Sequence, residues 1–330
     1  MAGFLEKWLS KKKIVCALLF LAIAIYLIVR LASLDAIPEM HAYLGYKFIQ
    51  RSLIVGLPVA LCAALLGVIL VLKRYSMIGD GLSHVGFGAL TVAVSLGTIT
   101  AQSLPGFLSE GLREGIANLC AHISDSPLIF TLIVVVICAI LLLRVGLGGG
   151  DCAIALISTS ALAIGVIVAN STEGMNIDVT NYMFGSILAI GNTDMVLSLI
   201  LSAAVLLLFV MFYPRIFAVT FDESFARATG VNARLYNMLV AILTAVTIVV
   251  GMRLMGTMLI SSLIIFPALT AMRVFSRFRA VVIASAIISV VCFFVGLMLS
   301  CVLSLPAGAG IVIANLGTYL LFTLISYSMK

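Results

Sequence analysis

The chain has 330 residues, of which 63% are hydrophobic and 10% charged, with a formal net charge of +6. A soluble chain would carry roughly 25% charged residues, and no water-facing fold can hide this much apolar surface, so lipid has to cover it. Mean hydropathy of +1.29 agrees, and the excess of Lys and Arg is read as membrane topology, with no nucleic-acid partner.

Apolar runs recur that are long enough, at about 18 residues or more, to cross roughly 30 Å of hydrocarbon as helices. Helices satisfy their own backbone in lipid and open strands do not; the alternating pattern of an outer-membrane barrel is absent. The first run, 14–32, follows Lys11, Lys12 and Lys13. It is long for the apolar part of a signal peptide and is read as an uncleaved span. Further spans are predicted at 52–72, 79–97, 128–146, 153–169, 194–213, 235–252, 254–272, 280–302 and 308–326. The outer segments 33–51 and 98–127 are read as either a partner surface or solvated loops, with a short surface helix at 107–120. The apolar piece 180–191, after Asp178, is too short to cross alone and is read as re-entrant or interfacial. The spans on either side of Arg253 almost touch, which makes that junction the weakest in the map.

Charge tests this map. With an inner N-terminus and ten crossings, 14 of the 19 Lys and Arg fall inside and 5 outside. The bias supports both termini inside, with Arg253 the main dissenter. The seven Cys are scattered and form no CxxC pair, so neither a disulfide framework nor a thiolate metal site is read.

Two polar segments interrupt the apolar pattern. In Gly79-Asp80-Gly81-Leu82-Ser83-His84, Asp80 and His84 are four apart, on one helix face and one turn from each other. Carboxylate oxygen with imidazole nitrogen suits a divalent first-row metal. From Arg74, ten helical residues place His84 about 15 Å deeper, near mid-bilayer. An ionisable residue there is costly and marks a functional site. The competing reading has Asp80 capping the helix and His84 satisfied by a neighbour. Gly79, Gly81, Ser83, Gly86, Gly88 and Ala89 around the pair permit close helix packing. The second segment, Phe221 to Val231, reads as a short cytoplasmic helix. Asp222 or Thr220 caps it, Asp222 and Glu223 suit its first turn, and Gly230 ends it. Its small Ala226, Ala228 and Gly230 leave room for another surface; a plain connector is the alternative.

At these segments the chain resembles the transmembrane permeases of ABC importers for zinc, manganese and iron. The matching residues are 79–84, Asp178 with Phe184-Gly185-Ser186-Ile187-Leu188, then Phe221-Asp222-Glu223 with Ala226 and Gly230. Gly256, Leu259 and Pro267-Ala268-Leu269-Thr270-Ala271 follow in family order. After the His the family commonly has Pro-Gly; here Phe87 replaces the Pro and Gly88 matches the Gly. The resemblance implies an all-α polytopic bundle of the type II ABC-importer kind, with about 8–10 transmembrane helices in a bacterial inner membrane. It divides the chain into an extra N-terminal span with its outer loop (1–51) and a permease domain (52–330). It implies that Asp80 and His84 line the metal path. It further implies that Asp222, Glu223, Ala226 and Gly230 belong to a coupling helix, 221–231, docking on a separate cytoplasmic ATPase. An extracytoplasmic metal-binding protein and a homodimer or heterodimer with a related permease are the other implied partners. The metal is cargo, and no permanently bound cofactor is expected.

Other classes fit less well. No Walker motif is present, so the chain is not expected to hydrolyse ATP. A secondary metal transporter needs more intramembrane acids, and an intramembrane zinc protease needs a second intramembrane His. A permease for a siderophore-like chelate needs a wide pocket and not bare-metal ligands.

Overall fold

The computed structural model describes residues 45–75, 77–97, 110–125, 127–145, 150–171, 192–303 and 305–328. They form α1 (Lys47–Leu72), α2 (Ile78–Leu96), α3 (Glu110–Asp125), α4 (Pro127–Val145), α5 (Gly150–Ser171) and α6 (Asn192–Phe221). Then come α7 (Glu223–Ala228), α8 (Ala233–Met255), α9 (Thr257–Val274), α10 (Phe278–Leu303) and α11 (Ala307–Ser328). Every predicted span from 52–72 onward has its helix. The predicted span 14–32 and the segment 180–191 lie outside the described residues, as does the motif around Phe184.

Among the described residues, seven helices are long and apolar enough to cross a membrane by themselves, and α3 with α4 passes as an eighth when the bent pair is taken together. Helix α2 is not in that set, because its Gly and Ser residues with Asp80 and His84 dilute its hydropathy. The expected surface helix at 107–120 appears as α3 and extends to Asp125.

Helix α1 sits at the centre and packs on α6, α8, α9 and α10; α2 packs chiefly on α4 and α5. Lipid supplies no hydrophobic force between helices, so close approach and hydrogen bonds do that work. Ser289 and Ser285 of α10 donate to the carbonyls of Ala60 and Ala64 on α1, at 2.8 and 3.3 Å. A Cβ on Gly67 would stand 1.9 Å from the Ile264 carbonyl oxygen of α9, and one on Gly88 would stand 2.5 Å from the Ala161 carbonyl oxygen of α5. The small residues that the sequence places around Asp80 therefore serve packing, as expected.

The junction at Arg253 resolves into two helices meeting at Gly256, whose φ of 85° and ψ of 161° suit glycine. Arg253 lies in the last turn of α8, where the negative end of the helix dipole favours a cation. That position accounts for a basic residue on the sparsely charged side.

Gly67→Ala is expected to destabilise the bundle by about 1–3 kcal/mol, since the obstacle is rigid backbone. A lower thermal midpoint in detergent and a reduced yield of monodisperse protein are the readouts; an unchanged midpoint would contradict the packing described.

Candidate functional site

Asp80 lies in the first turn of α2, but Met77 occupies the cap position and no side chain caps it. The capping alternative for Asp80 is thereby excluded. His84 Nε2 stands 3.6 Å from Asp80 Oδ2 as an i,i+4 pair, an imidazole nitrogen and a carboxylate oxygen side by side. Ser261 of α9 approaches the Asp80 carboxylate, while its hydroxyl donates to the Thr257 carbonyl at 3.0 Å. The neighbours Gly79, Gly81, Leu82 and Ser83 are buried, whereas the Asp80 side chain is 47% exposed and His84 18%. The pair thus faces an opening on an otherwise packed helix.

Depth follows from the packing. Gly79 and Gly67 both lie against Ile264, and Gly67 is six residues from Lys73 at the end of α1, or roughly 9 Å. His84 is five residues beyond Gly79, a further ~7.5 Å. Measured along the two helices, the imidazole is thus roughly 16 Å from the Lys73 end. Among the described residues no group of three or more His, Cys, Asp or Glu could hold a metal; the pair supplies two donors.

The second segment forms α7. The Asp222 carboxylate accepts from the Phe225 amide at 2.9 Å and is the N-cap. Thr220 is not, because its hydroxyl donates to the Ile216 carbonyl one turn back in α6. At the other end Val231 N–H donates to Ala226 O (2.9 Å) and Gly230 N–H to Arg227 O (3.1 Å). Gly230 has φ 83°; this is a Schellman closure. Ala226 is fully buried against the chain's own bundle. It does not leave room for a partner, as the sequence reading had it; it seats α7. The exposed face instead presents Phe225, 64% exposed, beside Phe221 at 58%.

Glu223 turns toward the bundle. Its Oε1 accepts from Arg227 and its Oε2 accepts from Asn237 Nδ2 of α8 at 3.2 Å. The Asn237 carbonyl oxygen accepts in turn from Lys73 Nζ. Burial holds the Lys73 ammonium below its ordinary value, with the Glu223 charge acting in the opposite sense. This bonded chain puts the end of α1, the start of α2, α7 and the start of α8 on one side, as the ten-span map requires. Lys73, Glu223 and Asn237 with Arg227 and Arg234 also line a cavity of about 550 Å³.

The structure brings Asp80 and His84 together and, separately, assembles Asp222, Glu223, Ala226 and Gly230 into one capped helix. It does not bring the two groups into contact. Sequence reasoning missed Ser261, Asn237 and Phe225. An exposed Phe beside a polar helix was the available signal for the last; the other two depend on helices remote in sequence.

Relatives agree with this architecture. The manganese transport system membrane protein MntC of Halalkalibacterium halodurans is 24% identical over 82% of this chain and 84% of its own. The high-affinity zinc uptake system membrane protein ZnuB of Haemophilus influenzae is 28% identical over 82% of this chain and 94% of its own. Among solved structures, PsaBC from Streptococcus pneumoniae, in complex with Fab, superposes with a TM-score of 0.69 at 26% identity, covering 87% of this chain and 95% of that one. Residues 45–326 match the ABC 3 transport family, and the chain, a multi-pass helical membrane protein, belongs to that family.

Proposed function

We propose that the chain is the permease subunit of an importer for a divalent transition metal ion, zinc, manganese or iron, driven by ATP through alternating access. The observation that carries this reading is the Asp80–His84 pair, its carboxylate half-exposed and its imidazole 18% exposed, roughly 16 Å along the helices from the Lys73 end. A carboxylate at that depth belongs on a polar path and not against lipid. One nitrogen and one oxygen donor per chain make half of a four-coordinate site. A second copy, or a related permease, supplies the remainder across the opening. The imidazole–carboxylate mixture suits zinc, manganese and ferrous iron alike. An extracytoplasmic binding protein delivers the ion, and ATP hydrolysis resides on a separate cytoplasmic subunit.

Helix α7 is the docking element for that ATPase. Its support is Phe225, 64% exposed on a short, capped, polar helix, at the end that the charge count assigns to the cytoplasm. Apolar side chains exposed outside the lipid layer mark a protein contact.

Asp80→Ala and His84→Ala are each expected to lower cellular uptake of manganese or zinc by about tenfold or more, since even outer-shell metal partners account for roughly 10–100-fold. Parental uptake at a normal protein level would overturn the ligand assignment. Phe225→Asp is expected to abolish co-purification of the ATPase while leaving membrane insertion intact. Gly230→Val is expected to do the same through its cap, because a β-branched residue at positive φ is strained by about 1–2 kcal/mol. ATPase recovered with both variants at the parental level would count against docking at α7.

A further inference from the structure

We propose that Asn237 is the positioning residue through which movement of α7 reaches the metal-path helix, by way of the Glu223–Asn237–Lys73 chain. The inference rests on α7 being the ATPase contact and adds the route from there to Asp80 and His84.

The chemistry of the three groups fixes the chain. An ammonium only donates and a carboxylate only accepts, whereas a primary amide does both from opposite atoms. Asn237 therefore turns its oxygen to Lys73 and its Nδ2 to Glu223 Oε2, at 3.2 Å. Replacing it by an acid or a hydrocarbon breaks one bond or both. Arg227 holds the far oxygen of Glu223, so the α7 end of the chain is anchored within its own helix.

At the other end, Lys73 is the C-cap of α1 and is followed by Arg74 in the left-handed region, at φ 62°. Tyr75 N–H donates to Leu70 O (2.8 Å) and Arg74 N–H to Val71 O (3.1 Å), the double closure of a Schellman motif. Ile78 N–H then donates to Tyr75 O at 3.1 Å, and α2 begins. Lys73 is seven residues from Asp80, with hydrogen-bonded turn and helix between them. The chain borders the cavity of about 550 Å³, so its members can shift without repacking a core. Together these features make Lys73 the point at which α7 can pull on α2.

The test uses the whole transporter, purified through a tag on this chain, reconstituted with its binding protein, and assayed for radiolabelled manganese and zinc uptake beside ATP hydrolysis. Asn237→Asp keeps the acceptor for Lys73 and places a carboxylate against Glu223. It is expected to retain the ATPase and to hydrolyse ATP while uptake per ATP falls roughly tenfold, within the usual range of coupling between sites. Adding Glu223→Gln exchanges amide and carboxylate, re-forms the bond with donor and acceptor reversed, and is expected to restore most of the uptake per ATP. Lys73→Met, which breaks the chain at its other end, is expected to uncouple similarly. Normal uptake per ATP in Asn237→Asp, or an exchanged pair no better than Asn237→Asp alone, would overturn the proposal. Loss of the ATPase on Asn237→Asp would do so as well, by making Asn237 a docking residue. A parent chain that captures no ATPase would instead remove the reading on which the proposal rests.

Discussion

A carboxylate and an imidazole one turn apart, on a helix among apolar spans, cannot be left against lipid, and the packing of α2 answers to that constraint. Helix α2 carries both groups and is too polar to count among the self-sufficient spans. It is held instead by α4, α5, α8 and α9. Its glycines let those neighbours come within backbone distance, as at Gly88 against Ala161. Most of its first half is buried, with Asp80 and His84 the partly exposed exceptions; on the proposed reading these two side chains line the path.

Helix α7 meets a different requirement. Six residues are too few to be stable as an isolated helix, so α7 depends on its ends and its underside. Asp222 closes one end, the Gly230 turn closes the other, and Ala226 seats it on the bundle. With local geometry settled in this way, the outer face is free to carry Phe225, and Glu223 is free to reach inward.

Much of this was legible in the sequence because it is local. The nine helices found at predicted spans, the i,i+4 relation of Asp80 and His84, the Asp222 cap and the Gly230 stop all follow from periodicity or from residue types within one or two turns. What escaped depends on distant pairing. Nothing near Asn237 says that it lies between Lys73 and Glu223, and nothing near Ser261 says that it meets Asp80. Ala226 was misread for a related reason: a small residue suits either a partner's approach or a tight seat on the same chain, and only packing distinguishes the two. Thr220 lost the cap because a helical hydroxyl bonds readily to the carbonyl four residues back.

The turn at Arg74 bears on how far anything has to travel. On the proposed reading, the two backbone hydrogen bonds that close the turn after α1 pass a shift at Lys73 on toward α2. Metal–ligand distances are held to about ±0.2 Å, and a carboxylate displaced by a fraction of an ångström is already a poor ligand. On the proposed reading the transporter needs only a very short stroke at α2 to release its cargo. Wide swings of the bundle would then serve to open the exits, leaving the grip on the ion to a much smaller motion.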